Sequence, residues 1–329
     1  MSLFFIYKQN EFSKNQLNHQ NQRINQQSQL IESTRKSNLI VLMNDIFDKI
    51  DIELKNSPKR TLSNNTIARI VALNHSFQPY RLLEGDSLSE KKWSPERGLL
   101  LIGLASMNMD SSSFNQIKRK TSFLGADLRD ADLKGFDLNG IDLISANLKG
   151  ADLKETNLDK AILSDANLWG ANLQMAKLRE SILHRADLSW ANLNEADLKK
   201  ANLNGAILND TKLKKANLNE IEMEWAISRH AFYNESILIN ANLTGTDLAK
   251  SNFSKANLSK ANLKLVNLSE TILNQTNLSN VELAKGIVHN KDWIQKLKEW
   301  QVSGSAEIKA NFKIVDDVTE AFDFRIEKK

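Results

Sequence analysis

Between Thr121 and Lys285 a residue that is almost always bulky and apolar returns at every fifth position, and two places before it stands a mostly small residue, Ala in 19 of 33 repeats, with Phe136 and Ile141 large. The register does not slip over 33 consecutive pentapeptides, and leucine is the bulky residue in 28 of them. The exceptions are Phe123, Met223, Ser228, Tyr233 and Phe253. Five is neither the 3.6-residue period of a helix nor the two-residue period of a strand. Such a chain has to turn a corner every five residues. The residue before the leucine is Asn 13 times and Asp eight times, and glycine falls only at the last position, where a turn with positive φ would call for it.

The flanks carry other patterns. Leu39, Leu42, Met43, Ile46, Ile50 and Leu54 form a helical stripe that stops before Ser57-Pro58. Ile67, Ile70, Val71 and Leu73 predict a second helix, and the following stretch to Trp93 reads as a loop. Ser94, Pro95 and Glu96 then open a third helix as N-cap, first helical position and dipole partner. After the repeats, Trp293, Ile294, Leu297 and Trp300 mark one face of a short helix. Ile308, Ala310, Phe312, Ile314 and then Phe322, Phe324, Ile326 alternate like the two strands of a hairpin. Twelve of the 21 residues from Gln9 to Gln29 are Asn or Gln, which reads as a polar arm or tether. Leu17, Ile24 and Ile31 add a weak heptad hint. The expected organisation is an arm (1–37), a helical module (38–112), the repeats (113–285) and a C-terminal cap (286–329).

The A(D/N)LxX repeat resembles that of pentapeptide repeat proteins. The resemblance implies a mainly β fold, a right-handed four-sided parallel β-helix with four repeats to a coil. The leucine and the small residue would point inward. Thirty-three repeats then make about eight coils, a rod roughly 40 Å long at the spacing of stacked strands. A solenoid exposes unpaired backbone at its ends, so the helical module and the C-terminal segment are expected to cover them. The family's C-terminal dimer contact gives Trp293, Leu297 and Trp300 a second candidate role. The segment containing Tyr80, Arg81, Glu96 and Arg97 resembles a module that precedes the repeats in some bacterial members. For these four residues, helix capping and an internal ion pair are expected.

Composition excludes more than it assigns. The 329 residues include no cysteine, so disulfides and thiolate metal sites are ruled out, and the net charge of +4 is too small to imply nucleic acid. Leu3–Tyr7 is too short an apolar run for a membrane span and lacks a basic leader, so the expected location is cytoplasmic, or the cytoplasmic face of a membrane. Asp127, Asp132, Asp137 and Asp142 fall on four different sides of a four-sided rod and cannot meet at one metal. The histidines (His19, His75, His184, His230, His289) lack ligand spacing. No phosphate loop or nucleophile elbow is present. No catalytic residue, metal or cofactor is expected, and the chain does not read as an enzyme.

Positions twenty apart stack on one side of such a rod. Trp169, Trp190, Ile207 and Ile227 then share one side, and Ile144, Ile162 and Ile182 the side before it. The remaining two sides carry the charges. This predicts an apolar surface that either binds a protein partner or is covered by the chain's own N-terminal region. The coil of Met223, Ser228 and Tyr233 also holds Trp225, Arg229, His230 and Phe232, and is expected to kink or bulge. The preferred function is a non-enzymatic scaffold presenting a protein-interaction surface, with homodimerisation open. One alternative is a DNA-mimicking, topoisomerase-binding protein of the gyrase-protecting kind. Such a mimic must replace phosphates, and residues 121–285 hold 19 Lys and Arg against 21 Asp and Glu, a net of only −2. The other is a membrane-associated regulator tethered through the N-terminal arm.

Overall fold

The computed structural model describes residues 34, 37–84, 87–316 and 324–329. The polar arm, its heptad hint and Phe322 lie outside them. Helix α1 covers 37–56, α2 Asn64–Ser76, α3 Pro95–Ser106 and α4 Ser111–Lys120. The expected stripe is the buried face of α1: Leu39, Met43, Ile50 and Leu54 are buried, although Leu42 points to solvent. Ser94 caps α3 by accepting from the Arg97 N–H at 3.2 Å.

The segment read as a loop is a β-hairpin, β1 (Tyr80–Glu84) with β2 (Ser87–Trp93), antiparallel and with a register shift between Arg81 and Leu83. That irregularity and the run of polar residues hide its alternation. Helix α4 occupies residues where the repeats were expected to have begun. Asp110 caps it by accepting from the N–H groups of Ser112 and Ser113, and Phe114 and Ile117 form its inner face. A serine-rich, three-apart pattern of one turn reads as loop because too few apolar positions repeat.

From Thr121 the chain winds in coils of four pentapeptides. We number the sides from 1, with side 1 starting at Thr121, side 2 at Ala126, side 3 at Ala131 and side 4 at Phe136. Each side contributes one parallel bridge to the same side of the next coil, as in Asp142–Ile162–Ile182–Asn202. Within the ladder, the leucine N–H donates to the next coil (Leu163 to Ile182 O, 2.7 Å) and the second residue donates to the previous one (Ile182 to Ala161 O, 2.9 Å). Corners close through bonds such as Ala166 N–H to Leu163 O, 3.1 Å. The inward leucines and alanines are essentially without exposure along the whole rod.

Two preferences of the repeat follow from this geometry. The Asp or Asn before the leucine turns its Oδ1 onto the N–H two residues on, as Asn167 does for Trp169 at 3.1 Å. Asn side chains also bridge coils, as Asn172 to Asp152 at 2.9 Å. The inward threonines Thr156, Thr211, Thr246 and Thr276 satisfy their hydroxyls on a carbonyl of the previous coil, as Thr156 on Leu133 at 2.7 Å. The fifth residue of each repeat is left-handed, from Gly125 (φ 66) to Lys285 (φ 56), with glycine at seven places. A left-handed residue with a side chain costs about 1–2 kcal/mol, and β-branching raises this. Lys255 is exposed and makes no ion pair among the described residues, so it isolates the effect. Lys255→Val is expected to lower the urea midpoint, and Lys255→Gly to match or exceed wild type. The reverse order would place the left-handed turn outside the determinants of stability.

The expected kink at Met223, Ser228 and Tyr233 does not form. Ser228 N–H still donates to Asp247 O at 2.7 Å and Tyr233 N–H to Asn252 O at 2.8 Å, so the ladder continues unbroken.

The N-terminal elements sit on the first coil and supply donors that a preceding coil would have given. Ser94 bridges Ala126, donating to Gly125 O (2.6 Å) and accepting from Asp127 N–H (3.0 Å). The Arg97 guanidinium donates to Leu124 O at 2.6 Å, and Lys118 Nζ to Asp137 O at 3.0 Å. Burial pushes the pKa of both cations down, with Asp142 and Asp137 respectively opposing the shift. Among the described residues no ion pair joins Arg81, Glu96 or Arg97. Buried Glu96 instead accepts from the Tyr80 and Ser94 hydroxyls, each at 3.1 Å. Arg81 is exposed.

At the other end lie β3 (Ile287–Val288), α5 (Trp293–Glu299), α6 (Ser305–Asn311), β4 (Phe312–Asp316) and β5 (Phe324–Lys328), with sheet order β3-β5-β4. The strand expected over Ile308 and Ala310 is helix α6. Ile308 and Phe312 stand four apart and turn to the core through a helix before the strand begins. This segment meets the last coil at its open donors: Gln275 N–H reaches Trp300 O (2.7 Å), Leu278 N–H Ser303 O (2.9 Å) and Lys285 N–H Ile326 O (2.7 Å).

Candidate interaction face

The face is built by stacking. Ile207 and Ile227 are bridged neighbours on side 2, as are Ile162 and Ile182 on side 1. Trp169 is 42% and Trp190 59% exposed; Ile182 and Ile227 are exposed too. Ile144, Ile162 and Ile207 are half-buried. Trp225 extends the face beyond the residues the stacking rule selected. It stands at the corner between sides 1 and 2, is 63% exposed, and lies so close over Gly245 that any side chain there would strike its ring. The sequence signal was a tryptophan followed twenty residues later by glycine. The other tryptophans, Trp93, Trp293 and Trp300, are packed.

Cations frame the face. Lys149 Nζ stands 4.7 Å over the Trp169 ring, an attractive cation–π arrangement. Arg185 pairs with Asp165 at 3.2 Å and Arg229 with Asp247 at 2.5 Å. The hairpin overhangs the corner of sides 1 and 2, with Lys91 Nζ 3.4 Å from Asp165 O. Between hairpin and rod lies a groove of about 710 Å³ whose wall includes Ile207. The chain's own N-terminal region therefore overhangs the edge of this surface, while Trp169, Trp190 and Trp225 remain exposed.

The division into two apolar and two charged sides is incomplete, because Met175, Phe232 and Ile272 are exposed on side 3 and Ile237 on side 4. These sides do carry ion pairs: Arg179–Asp197 (2.5 Å), Lys200–Glu220 (3.4 Å) and Lys214–Glu235 (3.5 Å). The rod's acids are thus interleaved with cations. Asp132, Asp137 and Asp142 each bond a backbone N–H two residues on, Asp127 pairs with Arg129, and no metal-holding cluster exists among the described residues. Of the C-terminal candidates, Trp293 and Leu297 are buried and Trp300 half-buried within the chain. Among the described residues no helix is long and apolar enough to cross a membrane.

Comparison with known proteins gives the family of the repeats. The family model for pentapeptide repeats matches eight copies between residues 121 and 290. HetL of the cyanobacterium Nostoc sp. strain PCC 7120, a pentapeptide repeat protein involved in heterocyst differentiation regulation, is 31% identical over 51% of this chain and 83% of its own, with a TM-score of 0.26. QnrB1, a plasmid-mediated fluoroquinolone resistance protein, is 20% identical over 55% of this chain and 90% of its own, with a TM-score of 0.41. A pentapeptide repeat protein from the Arabidopsis thaliana thylakoid lumen is 31% identical over 30% of this chain and 68% of its own, with a TM-score of 0.22. No curated protein gives a significant match. The unbroken five-residue register, the four-sided parallel coil and the matched repeats lead to one conclusion: the chain belongs to the pentapeptide repeat family, whose members fold as right-handed quadrilateral β-helices.

Proposed function

We propose that this chain is a non-enzymatic scaffold whose rod presents a tryptophan-bearing face to a protein partner. The observation that supports this reading most directly is the exposure of Trp169, Trp190 and Trp225 on side 2 and its two corners. Their backbones are fixed by the ladder, so little order has to be gained on binding. Large aromatic side chains on a rigid surface are frequent interface anchors. In the same reading the helical module and the C-terminal segment cap the rod, and Trp293, Leu297 and Trp300 serve that cap rather than a dimer. The alternative is a DNA-mimicking, topoisomerase-binding role of the gyrase-protecting kind. The interleaved ion pairs and the near-neutral repeat charge weigh against a phosphate mimic.

A pull-down from host lysate, comparing wild type with Trp169→Glu/Trp190→Glu after circular dichroism shows both folded, tests the reading. One protein should be lost from the variant alone, and its purified form should bind the variant about tenfold to a hundredfold more weakly. Recovery of a type II topoisomerase would favour the alternative. Identical captures by both baits would remove the tryptophan face from the interaction.

A further inference from the structure

The groove under the hairpin is a separate feature, and none of the exposed tryptophans is needed to define it. Its rod wall runs along the corner from Leu124 through Asp165 and Arg185 to Ile207. That is about four coil steps, or roughly 19 Å at the spacing of stacked strands. An extended chain rises about 3.3 Å per residue, so the length suits six residues. The opposite wall is β2, through Lys91 and Lys92. Strand β2 pairs with β1 along one edge only. At Ser94 the chain is tied to the rod by two backbone bonds, and among the described residues none ties β2 itself to the rod. Rod and ribbon therefore meet through side chains, Lys91 Nζ on Asp165 O and Arg129 over the Trp93 ring, with a slot between their backbones.

The charges of that slot are unbalanced. Among the described residues that line the slot, Lys91, Lys92 and Arg185 stand with a single carboxylate, Asp165, which Arg185 already engages at 3.2 Å. Lys91 donates to the backbone oxygen of Asp165, and among the described residues no carboxylate pairs with either lysine. Leu124 and Ile207 supply apolar wall between the charges. A slot of this length, with apolar wall, excess cations and a ribbon bonded on one edge only, suits a strand carrying alternating acidic and apolar side chains.

We propose that the groove between β2 and the rod corner binds an extended acidic peptide segment of a partner protein. The test uses the full chain, a fluorescein-labelled Glu-Val-Glu-Val-Glu-Val peptide and its Lys-Val-Lys-Val-Lys-Val counterpart, read by fluorescence anisotropy at about 0.15 M salt, where long-range attraction is screened. The acidic peptide should bind saturably and the basic one should not. Lys91→Glu/Lys92→Glu should weaken the acidic peptide at least tenfold and gain affinity for the basic one. Lys199→Glu/Lys214→Glu, on sides 4 and 3, should change neither. Equal weakening by the two double variants would show a net-charge effect and overturn the proposal, as would failure of the acidic peptide to saturate. Trp169→Glu/Trp190→Glu should leave peptide binding intact, so failure of the tryptophan face and failure of the groove are read separately.

Discussion

Replacing Ser228 and Tyr233 together by leucine is expected to leave the rod close to wild-type stability, whereas either replacement alone destabilises it. The two residues stand at adjacent leucine positions, and both are fully buried. The Tyr233 hydroxyl lies 2.7 Å from Ser228 Oγ, so the phenol on side 3 reaches across the interior to the space a leucine would fill on side 2. Its ring stacks on Phe253 of the next coil, with centroids 4.5 Å apart. Burial pushes the phenol pKa up, and the neutral hydroxyl keeps its hydrogen bond to the serine. Tyr233→Leu empties the interior and strands the Ser228 hydroxyl, at a cost of about 3–5 kcal/mol. Ser228→Leu drives a side chain into the phenol, at a cost of about 1–3 kcal/mol. The double variant restores the leucine ladder, and a volume-conserving exchange of this kind costs less than about 1.5 kcal/mol. Urea midpoints of the four proteins by circular dichroism measure the coupling. Additive single effects would show that the tyrosine does not fill the serine's space.

The same pair shows what the sequence could reveal. The broken leucine ladder was visible, but a serine and a tyrosine five apart read as two defects rather than one compensated substitution. Only the crossing of the phenol, and the Ser251 hydroxyl that bridges Ala231 N–H (3.0 Å) and Ser228 O (2.6 Å) at that corner, explains why no kink appears. The repeats themselves were legible because every pentapeptide meets the same environment, so composition at each position reports inside, corner or outside 33 times over. The hairpin, α4 and α6 have no such repetition. Their apolar residues are few, and what they pack against is a coil edge distant in sequence. The candidate face falls between these cases. Twenty-residue spacing placed Trp169, Trp190 and Ile227 on one side. Exposure depends on neighbours the spacing does not encode: the hairpin groove beside Ile207, and the bare Gly245 over which Trp225 spreads.

Gly98→Ala should destabilise the protein although it improves a helix. In an exposed helix interior this change is favourable by about 1 kcal/mol. Gly98 is buried in α3 where the helix rests on the first coil, and a β-carbon there would overlap the backbone carbonyl of Asp127. A backbone carbonyl cannot rotate aside as a side chain can. The helix would have to lift, stretching the Ser94–Gly125, Asp127–Ser94 and Arg97–Leu124 bonds together. Overpacking of this kind costs about 1–3 kcal/mol, enough to reverse the sign of the helix effect. Gly103→Ala is the matched control, because a β-carbon there meets the ring of Phe47, a side chain that can move. The thermal midpoint should fall further for Gly98→Ala than for Gly103→Ala. Light scattering on heating should rise earlier, because an uncapped coil exposes backbone donors and acceptors to other chains. A Gly98→Ala protein as stable as wild type would mean that α3 does not sit on the coil. The end of the rod would then have to be protected by something other than Ser94 and Arg97.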